Sequence, residues 1–190
     1  LDHKLFDVVA INDINPDCNN IAYLFKYDSI YGKLEHDISA KKDALFVNDE
    51  KIALFSQENI EDVAWDQADV DVIIDATGIK RNLTKSNQLK QKNIKHCILT
   101  NSPDQQTDCK WIVVGVNDDA ITKSDFFISS SICDANALVP CLNLLNNSFG
   151  IDHGFVTTLH PWLGYQNLLD GPALSVSDPG HIHSTYALGR

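Results

Sequence analysis

Short apolar runs recur between polar, helix-like stretches, and this alternation constrains the fold more than any other feature of the chain. It suits strands and helices alternating around a mostly parallel sheet. Strands are expected at residues 6–11, 69–74, 96–99, 111–116 and 126–129, each rich in Val, Ile or Phe and bounded by Asn, Asp, Gly or Ser. That is the pattern of strands buried on both faces. In ALFVNDEKIALF, at 44–55, two apolar strands flank Asn-Asp-Glu, which predicts a hairpin. Helices are expected at 19–26 and 83–92. The clearest runs over 134–147, where Leu138, Cys141, Leu142 and Leu145 recur at three- and four-residue spacing, Pro140 lies inside, and Phe149-Gly150 closes the pattern. Beyond Gly150, FVTTLH at 155–160 reads as a strand and 171–180 as a Pro/Gly/Ser loop.

A net charge of -11, with 26 acidic and 15 basic residues and no Lys/Arg run, argues against a nucleic-acid or anionic-membrane surface. Small molecules or other proteins are the expected partners. No stretch approaches the apolar length of a membrane span, and LDHKLFDVV lacks the basic and apolar regions of a leader. The five cysteines are an odd number, and none lies in a C-x-x-C pair, so a reducing cytoplasm and no structural metal are expected. Methionine is absent, position 1 included, so the chain is not expected to begin at a natural initiator.

Four blocks appear in fixed order: VVAIND at 8–13, FKYDSIYGK at 25–33, IIDATG at 73–78, and SSSICDAN at 129–136 followed by TTLHP at 157–161. In residues and spacing they resemble the phosphorylating, NAD-dependent glyceraldehyde-3-phosphate dehydrogenase family, and the resemblance covers nearly the whole chain. It implies an α/β fold: a Rossmann-like dinucleotide-binding domain over 1–132, then the start of an α+β catalytic domain over 133–190. The glycine-rich phosphate loop of such a domain should lie roughly twenty residues before the strand-end carboxylate Asp13. No such segment precedes Asp13, so both domains are expected to be incomplete, the first lacking its opening strand and glycine loop.

The resemblance assigns roles to particular residues. Asp13, closing a strand, would accept hydrogen bonds from the adenine ribose and repel a 2′-phosphate, which favours NAD over NADP. Taken alone, an Asp after a strand is ordinarily a turn or cap residue. Thr77, Gly78 and Thr100 would line the cofactor cleft. Cys133 would be the nucleophile: it follows a strand and opens the apolar-periodic helix, whose unpaired N–H groups and positive end favour a thiolate. His160 would be its base, and Asn136 would cap or orient the nucleophile's turn. Cys97 in mid-strand, Cys141 on the helix's apolar face, and Cys18 and Cys109 in polar loops read as packing residues. The implied chemistry is oxidation of a small-molecule aldehyde, with inorganic phosphate cleaving the thioester, in a homotetramer.

The pattern breaks around the nucleophile. Where the family reads ASCTTN, this chain has Ile132 and Asp134 beside Cys133, so both hydroxyls flanking the cysteine are lost and one charge is gained; Ser131 and Asp134 fall at substrate positions. Asp134 is either a helix N-cap or a sign of a changed acyl acceptor or substrate. Downstream, HPWLGYQ carries Leu163 and Tyr165 where the family has threonines, although Gln166 and the DGP at 170–172 are retained. The last stretch offers only Arg190 to hold a phosphate, preceded by His181 and His183. A related dehydrogenase for another sugar aldehyde and a non-catalytic nucleotide- or protein-binding paralogue are the rival expectations.

Overall fold

The computed structural model describes residues 5–28, 31–101, 103 and 108–159. In chain order the elements are β1 (Ala10–Asn12), α1 (Cys18–Lys26), β2 (Tyr27–Asp28), β3 (Gly32–Lys33), β4 (Ile38–Ala40), β5 (Ala44–Val47), β6 (Glu50–Phe55), β7 (Val72–Asp75), α2 (Ser86–Gln91), β8 (His96–Leu99), β9 (Lys110–Trp111), β10 (Phe127–Ser129) and α3 (Cys133–Phe149). Short 3-10 turns at Ile60–Asp62, Trp65–Ala68, Lys80–Thr84 and Asp118–Ala120 complete the connections. The chain divides into two compact units, Leu1–Asn136 and Ala137–Arg190.

The first unit holds two four-stranded sheets, ordered β1-β6-β5-β4 and β7-β8-β10-β9. In the first, β1 runs parallel to β6, while β6-β5 and β5-β4 are antiparallel. The expected hairpin is present, closed by Asn48 and Asp49 between the paired residues Val47 and Glu50. Asn48 adopts φ 54, a left-handed conformation that Asn tolerates better than most residues. The second sheet is parallel throughout, so the C-terminal ends of β7, β8 and β10 lie along one edge. That is where open parallel sheets bind ligands.

Two cores support this arrangement. Leu45, Val47 and Ile52 form the smaller. The larger gathers Val63, Trp65, Ile73, Leu89, Ile94, Cys97, Leu99, Phe126 and Phe127 with their neighbours. Burial alternates along β7: Ile73 and Asp75 point into the core, whereas Val72 and Ile74 are 42% and 59% exposed. The expectation of strands buried on both faces is therefore corrected for β7, whose Val72 and Ile74 face remains largely exposed. The alternation is that of a strand with one covered face.

Several expected elements are shorter than their apolar runs, each for a local reason. The strand expected at 6–11 is β1, and residues 5–9 lie outside it; pairing begins where Ala53 N–H donates to Val9 O at 2.9 Å. The strand expected at 69–74 begins at Val72, because Asp69, at φ 53, terminates the preceding 3-10 turn. The strand expected at 111–116 stops at Trp111. Asn117 then folds the segment back, its Oδ1 accepting from Val113 N–H at 2.8 Å and its Nδ2 donating to Trp111 O at 2.9 Å. The helix expected at 83–92 divides into a 3-10 turn and α2.

Helix α3 extends the expected range at both ends. It closes as its sequence indicates, with Gly150 at φ 75 and its N–H donating to Asn146 O at 2.9 Å. Pro140 stands within it, so the Asn136 carbonyl lacks the usual amide donor four residues on. No residue of α3 is buried, which corrects the placing of Cys141 on a packed face; it is exposed. Cys18 opens α1 rather than lying in a loop. Residues 155–159, expected as a strand, carry no regular structure; Phe155 and Leu159 are exposed, and among the described residues no strand pairs with them. A strand needs a ladder partner to satisfy its backbone, and apolar alternation alone does not supply one.

Candidate active site

Three strand ends of the second sheet carry the residues singled out from the sequence. Thr77 and Gly78 follow β7, Thr100 follows β8, and Ser131 and Cys133 follow β10. Asp13 follows β1 in the other sheet. His160 and Arg190 lie outside the described residues, as do His181 and His183. Among the described residues no group of three or more His, Cys, Asp or Glu is placed to hold a metal ion.

Hydrogen bonds tie the three strand ends together. Thr100 N–H donates to Asp75 O at 3.1 Å, and Ser130 N–H to Leu99 O at 2.9 Å. Ser129, fully buried, donates its hydroxyl to Asn101 O at 2.5 Å and accepts from Ser131 N–H at 3.0 Å. Ser131 thereby sits at φ 64, a conformation that costs a non-glycine residue roughly 1 kcal/mol or more and persists only where its surroundings impose it. This turn delivers Cys133 to the start of α3, with its side chain exposed.

The cap of α3 differs from expectation. Asn136 N–H donates to Ile132 O at 2.9 Å, which makes Ile132 the cap residue and Asp134 the second helical residue. Asp134 is thus not an N-cap. It lies in the first turn, where the helix dipole favours its charge. Ile132 has no side-chain acceptor for the first amides. Asn136 Nδ2 instead braces the turn, donating to Ser130 O at 2.8 Å and Ile132 O at 3.0 Å.

The other cysteines of this sheet are poor nucleophiles. Burial pushes the Cys97 thiol up to about 12, aided by the nearby charge of Asp75. Burial also raises Cys109. Both stay protonated and inert at neutral pH.

Asp13 is exposed; its N–H donates to Phe55 O at 3.1 Å and its Oδ1 accepts from Asn15 N–H at 2.8 Å. Asn12 and Gln57 lock the strand end beside it through two bonds of 3.0 and 2.9 Å. Gly78 adopts φ +70, and a Cβ built there would touch only Asn101 Nδ2 at 3.6 Å. The backbone conformation, not crowding, therefore requires glycine at this position.

Sequence reading missed the polar groups beneath these loops. Asp75, Asn82 and Ser129 are buried, and all three sit at or just beyond the strand ends. The one available signal was a carboxylate closing the apolar run VDVIID, since a charge is seldom buried without partners.

Comparison with known proteins gives two family matches. Residues 1–83 match the glyceraldehyde 3-phosphate dehydrogenase NAD binding domain, and residues 132–178 the C-terminal domain. Relatives named glyceraldehyde-3-phosphate dehydrogenase include one from Clostridium pasteurianum, 35% identical over 87% of this chain and 49% of its own length. One from Mycobacterium leprae (strain TN) is 40% identical over 90% and 51%. Glyceraldehyde-3-phosphate dehydrogenase 1 from Kluyveromyces marxianus is 33% identical over 91% and 51%. The chain spans about half the length of these relatives.

Proposed function

Because the chain belongs to the glyceraldehyde-3-phosphate dehydrogenase family, we propose that it carries the NAD-binding strand ends and the nucleophile of an enzyme that oxidises glyceraldehyde 3-phosphate to an acyl phosphate. The observation that carries this reading is the placement of Cys133, exposed at the first residue of α3 and following a turn that Ser131 and Ser129 tie to Asn101, in the loop that holds Thr100.

In this reading the Cys133 sulfur bonds to the aldehyde carbon, and His160 accepts the thiol proton. His160 returns that proton to the alkoxide oxygen formed by the addition, giving the hemithioacetal hydroxyl, and then takes it back as the C–H bond is given up as hydride, leaving a thioester on Cys133. Bound NAD supplies the hydride acceptor. Asp13 would hold the adenine ribose, and the Thr77–Gly78 and Thr100 loops would flank the nicotinamide half. Inorganic phosphate would cleave the thioester, with Ser131 and Arg190 among the groups meeting substrate anions. Cytoplasmic location and a homotetramer belong to the same proposal, supported by the odd cysteine count and by family membership.

The test is NADH formation from glyceraldehyde 3-phosphate, NAD and phosphate. Wild-type protein should turn over, Cys133→Ser should lose at least 1,000-fold in kcat, and omission of phosphate should stop turnover after one equivalent of NADH per site. Sustained turnover without phosphate would sink the phosphorolytic step, and unchanged activity in Cys133→Ser would sink the nucleophile.

A further inference from the structure

Beneath the proposed cofactor loop, Asp75 and Asn82, which the proposed chemistry does not use, close a hydrogen-bond ring with Thr77. Asp75 is 5% exposed and Asn82 3%. Asp75 Oδ1 accepts from Thr77 N–H at 2.9 Å and from the Thr77 hydroxyl at 2.6 Å, while Oδ2 accepts from Asn82 Nδ2 at 2.8 Å. Asn82 Nδ2 also donates to Thr77 Oγ1 at 3.2 Å, and Ile79 N–H donates to the same oxygen at 3.1 Å.

A hydroxyl has one proton to give and two lone pairs to receive. For Thr77 all three are consumed inside the ring. Its side chain is left with nothing to offer a ligand, although the residue stands in the loop that the family places against the cofactor. The polar groups that the turn can still present are backbone groups, and their direction is set by Gly78 at φ +70. Asp75 also fixes the neighbouring loop, because its backbone oxygen accepts from Thr100 N–H at 3.1 Å. A carboxylate is seldom buried unless its partners replace the hydration it loses. Its position under this one turn is therefore informative.

We propose that Asp75 is a positioning residue for the cofactor: through Asn82 it turns Thr77 into an internal strut and holds the Thr77–Gly78 backbone in the conformation that receives the nicotinamide half. The hydroxyl of Thr77 is not itself a ligand. This deepens the NAD-binding reading and rests on it.

The experiment measures NAD affinity directly, by quenching of tryptophan fluorescence or by calorimetry, so that it does not depend on turnover. Asp75→Asn places an amide donor against Asn82 Nδ2 and should weaken NAD at least tenfold. Thr77→Val should weaken it by a similar factor, and Thr77→Ser should retain wild-type affinity. Because both losses open one ring, Asp75→Asn combined with Thr77→Val should be no worse than either alone within about threefold. Adding Asn82→Asp to Asp75→Asn reverses donor and acceptor between these two residues and should recover part of the affinity, the bond to Thr77 Oγ1 remaining lost. Alkylation of Cys133 in the absence of NAD should keep its wild-type rate in every variant, which separates positioning from general unfolding. Multiplying losses in the double variant would overturn the proposal, making Thr77 a direct ligand, and so would wild-type affinity in Asp75→Asn. If Asp75→Asn does not fold, the Thr77 pair decides, and unaltered binding in Thr77→Val overturns the idea. Wild-type protein that binds no NAD would sink the cofactor reading itself. NAD binding without aldehyde oxidation would leave the ring's role standing and sink only the proposed reaction.

Discussion

Asn136 reaches back from the first turn of α3 to the carbonyl of Ser130, 2.8 Å away, and with the same amide to Ile132 O at 3.0 Å. It thereby brackets Cys133 from the helix side, as Ser129 does from the strand side. Asn136→Ala removes both bonds, each worth about 1 kcal/mol net, and frees a turn already held at positive φ by Ser131. The expected result is a 10- to 100-fold loss in kcat with little change in the KM for NAD. Asn136→Asp, which sets an acceptor against two acceptors, should be worse than alanine. Steady-state kinetics of the two variants decide it. Equal or greater activity in Asn136→Asp would show that the amide does not brace the turn.

Limited alkylation distinguishes the cysteines without any assay of turnover. Cys97 is buried, with its thiol pushed up to about 12, and Cys109 is raised by burial, so both should resist iodoacetamide at pH 7. Cys133, exposed at a helix start, should be modified first, and peptide mapping after substoichiometric treatment should recover the label there. Label recovered on Cys97 at a comparable rate would contradict the burial that sets its thiol.

These assignments were unequally legible in the sequence. Strand β8 and the β5–β6 hairpin followed from apolar runs with sharp polar boundaries, and α3 from its three- and four-residue spacing. The runs failed where one residue's backbone decided the outcome. Asp69 at φ 53 cuts off the start of β7, and the side chain of Asn117 folds the end of β9 into a turn. Neither event changes the hydrophobic pattern. At the site, Cys133, Thr77 and Gly78 were visible because resemblance pointed to them. Asp75 was not, because a carboxylate in sequence reads as surface until three donors are seen converging on it. The error at 155–159 is of another kind: alternation marks which residues could form a strand, and a neighbouring ladder decides whether they do.

Acid should weaken the first unit through two specific carboxylates. The hydrogen bond from Lys85 lowers Glu61 below the ordinary carboxylate range, and the hydroxyl and then the amide of Thr122 lower Asp125. A carboxyl lowered on folding contributes stability that is fully present above its unfolded value and is lost as pH falls through the folded one. Urea midpoints should therefore hold level near neutrality and decline as pH drops through and below the ordinary carboxylate range. Glu61→Gln should flatten that decline, because Lys85 lies against Glu61 with both side chains mostly covered. A pH profile in Glu61→Gln parallel to wild type would remove Glu61 as a contributor.

Asp134 is the departure from the family with the clearest electrostatic consequence. As the second residue of α3 it directly follows Cys133, the proposed nucleophile, in the first turn of a helix whose positive end would otherwise attract an anion. Two like charges about 4 Å apart repel by about 1 kcal/mol in water and about 4 kcal/mol at an effective dielectric of 20. In the proposed reaction, phosphate held at about that distance from Asp134 would meet a barrier equivalent to about one to three decades of affinity. Ile132 offers no hydroxyl to offset it. Asp134→Thr should lower the KM for phosphate by at least tenfold, and Asp134→Asn, which removes charge without adding a hydroxyl, should achieve most of that gain. Raising ionic strength should narrow the difference between wild type and Asp134→Asn, since screening acts on the charge and not on hydrogen bonding. A phosphate KM unmoved in both variants would mean that the anion docks away from this turn. The acyl-acceptor site would then have to be sought on residues other than those beside Cys133.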